Sequence, residues 1–148
     1  MSPETLASTL RRQQRLDELC AAAVRALAGQ RDLHFRGRRL HRGAQRLPLY
    51  AAHLHPSHET DDWASFRGAA DGLALRLARS DATLHRSLQP EDAVERGLFD
   101  LFEQFRVEAL ASEDWPGARR NLRHRFEAWL LVFHHAGHTE TAAGLLLF

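Results

Sequence analysis

Residues 68–110, GAADGLALRLARSDATLHRSLQPEDAVERGLFDLFEQFRVEAL, decide how this chain folds. Apolar side chains recur at three- and four-residue intervals on both sides of Pro90, the pattern of two amphipathic helices joined at a proline. The first is expected to start at Thr60, Asp61 and Asp62 and to run to about Leu88, with Phe66, Leu73, Leu77, Leu84 and Leu88 on its inner stripe. The second is expected to bury Leu98, Leu101, Phe102, Phe105 and Ala109. Gln89, Pro90, Glu91 and Asp92 separate them, because proline suits a first helical turn and acids complement its dipole. Gly68 and Gly72 each cost about 1 kcal/mol relative to alanine inside a helix, which predicts close packing against a neighbour.

Polar residues fall on or beside these apolar faces. Asp81 lies within the apolar arc and His85 follows one turn later at its edge. On the other helix Arg106 sits between Phe102 and Leu110, with Glu103 beside it and Glu108 on the opposite edge of the stripe. An antiparallel hairpin would bring Asp81 or His85 to Arg106 or Glu103. One reading of these five residues is a cluster that senses a substrate, metal or nucleotide. The plainer reading, preferred here, is a polar network that fixes how the helices pack.

Upstream, Ser2, Pro3 and Glu4 form a helix start, with a hydroxyl cap, proline at the first position and an acid in the first turn. Leu6, Leu10, Leu16, Cys20, Val24 and Leu27 then share one face, and Gly29 is placed to end the helix. Between residues 32 and 54 the period changes. Leu33 and Phe35 alternate with polar residues, and Leu47, Leu49 and Ala51 do so beyond a Gly-containing turn, which predicts a β-hairpin. Pro48 would hold its second strand to an edge. Two strands are marginal alone, so the hairpin should lie against helices or lengthen a partner's sheet. Downstream, residues 112–117 form a turn. A further helix places Leu122, Phe126, Trp129, Phe133 and Ala136 on one side and ends at Gly137, and Thr139 can cap a last short helix. The expected class is mainly α: a bundle of four to five helices with a small β-hairpin between the first and second.

The 148 residues suit one domain with a real core, and 44% apolar with 26% charged residues is a globular profile rather than a disordered one. No apolar run is long enough to cross a bilayer, and no signal peptide is visible. The single cysteine, Cys20, can build neither a disulfide framework nor a zinc knuckle. These features suit a cytoplasmic protein with Cys20 buried. All 20 basic residues are arginine. Residues 1–58 hold 10 Arg against 4 acids, and residues 59–148 hold 10 against 15, so a net charge of +1 hides a polar molecule. Such asymmetry suits a surface that meets an acidic partner or a second copy of the chain.

The positive charge concentrates in Arg31, Arg36, Arg38, Arg39, Arg42 and Arg46, opposed locally by Asp32. With His34, Phe35 and His41 interleaved, nucleic-acid binding is conceivable, but no recognised motif for it is present and an acidic protein segment fits better. The histidine-rich loop His53, His55 and His58 and the pair His134 and His138 invite a metal. Neither reproduces a strong motif: HHAGH lacks the glutamate of HExxH, and Gly137 should break the helix before His138 aligns. There is no P-loop, GxGxxG, nucleophile elbow or nucleophile–base pair, so no catalytic residue is assigned.

Residues 68–122 are similar to a known family. Gly68, Asp71, Ala74, Leu75, Arg76, Leu77, Asp81, His85, Pro90, Phe99, Asp100, Glu103, Gln104, Arg106, Glu108 and Ala109 carry the likeness, and the chain resembles the N-terminal region of CobT, the von Willebrand A subunit of aerobic cobaltochelatase. Ser80 departs from the pattern, since members often carry histidine there. The resemblance implies a multi-subunit, ATP-dependent machine that inserts cobalt into a corrin precursor of cobalamin. It implies an AAA+ ATPase subunit using ATP and magnesium, and a very large chelatase subunit, as partners. It also implies that this chain is the N-terminal domain of a longer protein, without a cofactor of its own, continuing through an acidic linker. The arginine-rich hairpin would be a docking surface for that linker. A metal-binding enzyme or metallochaperone using His53, His55 and His58, or His85 with Glu103, is the alternative, and nucleic-acid binding is a third.

Overall fold

In the computed structural model, residues 3–36, 39–47 and 51–145 are described. Helix α1, Pro3–Ala28, leads into three short strands, β1 (Leu33–Arg36), β2 (Arg39–Arg42) and β3 (Gln45–Arg46). A single 3-10 turn, Ala52–Leu54, precedes α2 (Trp63–Arg79), α3 (Ala82–Ser87), α4 (Ala93–Ala109) and α5 (Pro116–His135). A second 3-10 turn, His138–Glu140, and a last helical turn, α6 (Ala142–Leu145), follow. The mainly α architecture with a small sheet between the first two long helices is the one the sequence predicts.

Helix α2 is the axis. Every residue from Ser65 to Leu75 except Arg67 is buried, so it is enclosed on all sides rather than along one stripe. It packs against α1 on one flank and α5 on another, with α4 and the Ala52–Leu54 turn closing the rest. The two glycines make this possible. A Cβ at Gly68 would lie 2.3 Å from the backbone oxygen of Asn121 and 2.7 Å from Cβ of Arg125. A Cβ at Gly72 would lie 2.7 Å from Cδ2 of Leu54 and 3.0 Å from Oε1 of Glu108. The expected close packing is present at both. The main core gathers Cys20, Val24, Leu33, Leu40, Leu54, Phe66, Leu73 and Leu101, and a smaller one holds Leu75, Val107 and Leu122.

Several elements depart from the sequence reading. The sheet is a three-stranded antiparallel meander in the order β1-β2-β3, with Phe35 opposite Leu40 and His34 opposite His41. Residues 39–42, not Leu47 and its successors, supply the partner of β1. The glycine turn is at Gly43, whose φ of 55° joins β2 to β3. Pro48 and Leu49, like the Ser2 cap, Arg38 and Leu146, Leu147 and Phe148, lie outside the described residues. The helix expected to continue to Leu88 breaks at Ser80 and Asp81, both extended. Asp81 accepts the backbone N–H groups of Thr83 and Leu84 and restarts the chain as α3, the usual way a capping carboxylate outcompetes helix continuation. Leu84 and Leu88 are consequently exposed rather than on an inner stripe.

Helix α4 is capped by Asp92, with Pro90 outside it. Its inner face holds Asp100, Leu101, Gln104 and Val107, so the expected stripe is rotated and Phe102 and Ala109 are exposed. In α1, Leu6 and Leu10 are exposed while Cys20 and Val24 are buried, because the core begins only partway along the helix. Ala136, which follows the last residue of α5, is exposed as well. Thr141, not Thr139, accepts the N–H of Gly144 at the last turn. The stops at Gly29 (φ 67°) and Gly137 (φ 74°) fall where predicted, in the left-handed region glycine tolerates.

Candidate functional site: three polar locks and an arginine face

The polar residues of the hairpin sort into separate constellations. The first joins α2, α3 and α4. His85 Nε2 lies 2.6 Å from Asp100 Oδ1 and 3.0 Å from the Arg76 guanidinium. One ring nitrogen serves one of these at a time, donating to the carboxylate or accepting from the guanidinium. Arg76 also donates to the backbone oxygen of Asp100 at 3.1 Å, Gln89 approaches its other carboxylate oxygen, and Phe99 stacks on the imidazole at 4.5 Å. Burial lowers the Arg76 pKa, while Glu103 and Asp100 work against that shift.

The second lock clamps the break after α2. Arg106 donates to both oxygens of Glu103 at 2.7 and 2.8 Å and to the backbone oxygen of Arg79 at 2.9 Å. Ser80, which stands where the resemblance often has histidine, donates to Glu103 at 2.5 Å. The Arg106 bonds, helped by Ser80, hold the Glu103 carboxyl down to about 2. The four hydrogen bonds of this lock, one of them from Arg106 to the Arg79 backbone oxygen, tie the end of α2 to α4. Asp81 takes no part, and His85 meets Asp100 rather than Glu103 or Arg106. The expected hairpin pairing is therefore replaced by two neighbouring clusters.

The third constellation was not legible as a unit. His53 is buried, and its Nε2 donates to Glu108 Oε1 at 2.7 Å. Gln104 donates to the same oxygen at 2.8 Å and to the carbonyl of Gly72 at 3.0 Å. The rings of Phe105, Phe126 and Trp129 surround the imidazole, and His53 Nδ1 is buried without a hydrogen-bond partner among the described residues. Arg125 donates to the backbone oxygen of His53 at 2.6 Å and to Asp61 at 2.6 Å, tying both ends of the 53–61 loop to α5. Fully buried Asp71 accepts from Arg67 at 2.8 Å and Asn121 at 3.0 Å, holding α2 to α5 beside Gly68. Glu108, Asp100 and Asp71 thus each bond to side chains on other elements of the fold.

The histidine loop does not converge. His53 points to Glu108, His58 lies against Phe66 at 4.7 Å, and His55 is exposed. Among the described residues no three of His, Cys, Asp and Glu are grouped to hold a metal ion. Cys20 is buried, which pushes its thiol up to about 11. No helix among the described residues is long and apolar enough to cross a membrane.

The arginines behave differently. Arg31, Arg36, Arg39, Arg42 and Arg46 are exposed on or beside the sheet. None of these five forms an ion pair among the described residues, although Arg42 donates twice to Gln30. The sheet therefore presents a positive face, with His34 and His41 stacked across it at 5.6 Å. Beneath it lies a cavity of about 480 Å³ lined by Phe35, Leu40, Leu47, Leu54, Phe66 and Leu73, with Arg39 and Arg46 among its polar walls.

The family model described as cobalamin biosynthesis protein CobT matches residues 11–134, from the middle of α1 almost to the end of α5. No solved structure matches.

Proposed function

The chain belongs to the CobT family of cobalamin biosynthesis proteins, and we propose that it is the assembly and interaction domain of an ATP-dependent cobaltochelatase-type complex rather than its catalytic part. Membership implies cobalamin biosynthesis and a complex with other subunits. The further reading is that this domain docks a partner and leaves ATP hydrolysis, with its magnesium, to an AAA+ subunit and cobalt insertion to a large chelatase subunit, all in the cytoplasm.

One observation supports this most. The polar residues of the family-like hairpin are spent on internal locks, whereas five arginines on and beside the sheet form no ion pair among the described residues. His85, Asp100, Glu103, Arg106 and Glu108 each bond to other residues of the fold. Arg31, Arg36, Arg39 and Arg46 offer planar donor forks that match carboxylates on another molecule, and Arg42, with one edge engaged by Gln30, adds its charge. An acidic segment, including a linker continuous with this chain, is the partner this face fits. Co-purification of the chain with the cognate AAA+ subunit, with and without ATP, tests the proposal. Stable association is expected, and none under either condition refutes it.

A further inference from the structure

The arginine face is not merely charged; it covers an apolar hollow. Phe35 on β1 and Leu40 on β2 oppose one another in register, and Leu47 follows β3, so the inward side of the sheet forms one wall. Cys20 of α1 and Phe66, Ala69, Ala70 and Leu73 of α2 form the floor, and Leu54 closes one end. The volume of about 480 Å³ is far larger than the roughly 150 Å³ that holds a benzene-sized group. It falls within the range of sites that take one or two large side chains. Arg39 and Arg46 line the same hollow and have no ion-pair partner among the described residues, and Asp17 is the one acid in its lining.

We infer that this hollow is a socket for a short acidic peptide segment carrying one or two large apolar side chains. The apolar anchor enters between the sheet and α1 and α2, and its flanking carboxylates pair with Arg39 and Arg46. Charge complementarity selects this occupant: unpaired guanidinium groups next to apolar walls reward a ligand that is greasy at its centre and anionic on both sides. Apolar burial supplies affinity and the arginine forks supply orientation and encounter rate. The inference rests on the interaction-domain reading and deepens it, because it states what the partner sequence must contain.

Fluorescence anisotropy with labelled peptides on the whole 148-residue chain tests it. Three peptides are compared: acidic residues flanking a central Leu-Phe pair, the same flanks around Ser-Gly, and basic flanks around Leu-Phe. The acidic Leu-Phe peptide should bind at least tenfold more tightly than either of the others. The Arg39→Glu, Arg46→Glu double variant, altered only at exposed positions, should weaken it at least tenfold while its circular-dichroism melt stays unchanged. Equal binding of the two acidic peptides overturns the socket and leaves the arginine docking face standing. Equal binding of the acidic and basic Leu-Phe peptides, or no binding of any, overturns the inference outright. Association with the AAA+ subunit is read separately, so a failed peptide panel with an intact complex sinks only the socket.

Discussion

Substituting alanine at two helical glycines should move stability in opposite directions. In both α2 and α4, replacing an interior glycine by alanine removes backbone freedom from the unfolded chain and gains about 1 kcal/mol. At Gly97 nothing lies within 4 Å of the added Cβ, so Gly97→Ala should stabilise by about 0.5–1 kcal/mol. At Gly68 the added Cβ would fall 2.3 Å from a backbone oxygen of α5 and 2.7 Å from the Arg125 Cβ. Neither obstacle is the free end of a flexible side chain, so α2 and α5 must separate. That strains the Asp71–Asn121 bond and the Arg125 bonds to His53 and Asp61 in the same contact. Overpacking of this kind costs about 1–3 kcal/mol or more, which exceeds the propensity gain, and a net loss of about 1–2 kcal/mol is expected. Urea unfolding followed by far-ultraviolet circular dichroism gives both values from midpoints at constant slope. If Gly68→Ala stabilises as much as Gly97→Ala, the close approach of α2 and α5 is wrong, and with it the central position of α2.

Other outcomes follow from the locks. Asp100→Ala leaves Arg76 and His85, whose side chains are 10% and 13% exposed, without their carboxylate, and should cost about 3 kcal/mol. Arg106→Ala, at a side chain 51% exposed, should cost clearly less than Asp100→Ala, because solvent screens its ion pair; chemical denaturation of the two variants checks the order. The Glu103 carboxyl is lowered from 4.5 to about 2 in the fold, so its contribution is complete above pH 4.5 and is lost as pH falls towards 2. Glu103→Gln should therefore lie below the parent in melting temperature at pH 6 and close the gap by pH 2.5; a gap that is constant with pH contradicts the assignment. Cys20, buried with its thiol near 11, should react with iodoacetamide at pH 8 at least a hundredfold more slowly in the native chain than in urea; equal rates would place it at the surface.

What was legible in the sequence and what was not divides along physical lines. Local signals held where one residue settles the backbone: Gly29 and Gly137 stop their helices, and Gly68 and Gly72 mark a close approach. They failed where a polar residue competed for an inner position. Asp100 and Gln104 look like surface residues beside Phe102, yet partners on α2 and α3 draw them inwards and turn Phe102 out. Asp81 sat at helical spacing with Leu77 and Leu88, and periodicity alone could not tell a buried carboxylate from a cap that breaks the helix. The strand pairing was misread because Leu47 and Leu49 alternate more plainly than Arg39 to Arg42, although the nearer segment closes the shorter loop. The third lock joins residues far apart in sequence, His53 with Glu108 and Asp71 with Asn121, 55 and 50 positions away. No spacing rule reaches that far. A buried aspartate between two helix-packing glycines is the signal that could have exposed Asp71.

The arginine face was the part of the site most directly written in the sequence, since clustered charge needs no tertiary partner to be seen. The most direct test of the whole account compares affinity for the AAA+ subunit between two variants of the chain, measured by biolayer interferometry. One reverses the sheet, Arg39→Glu with Arg46→Glu; the other neutralises the hairpin lock, Glu103→Gln with Arg106→Gln. The sheet variant should lose at least tenfold in affinity with an unchanged melting temperature, and the lock variant should bind normally with a lower one. Normal binding by the sheet variant together with lost binding by a folded lock variant would place the interaction on the hairpin and contradict the account.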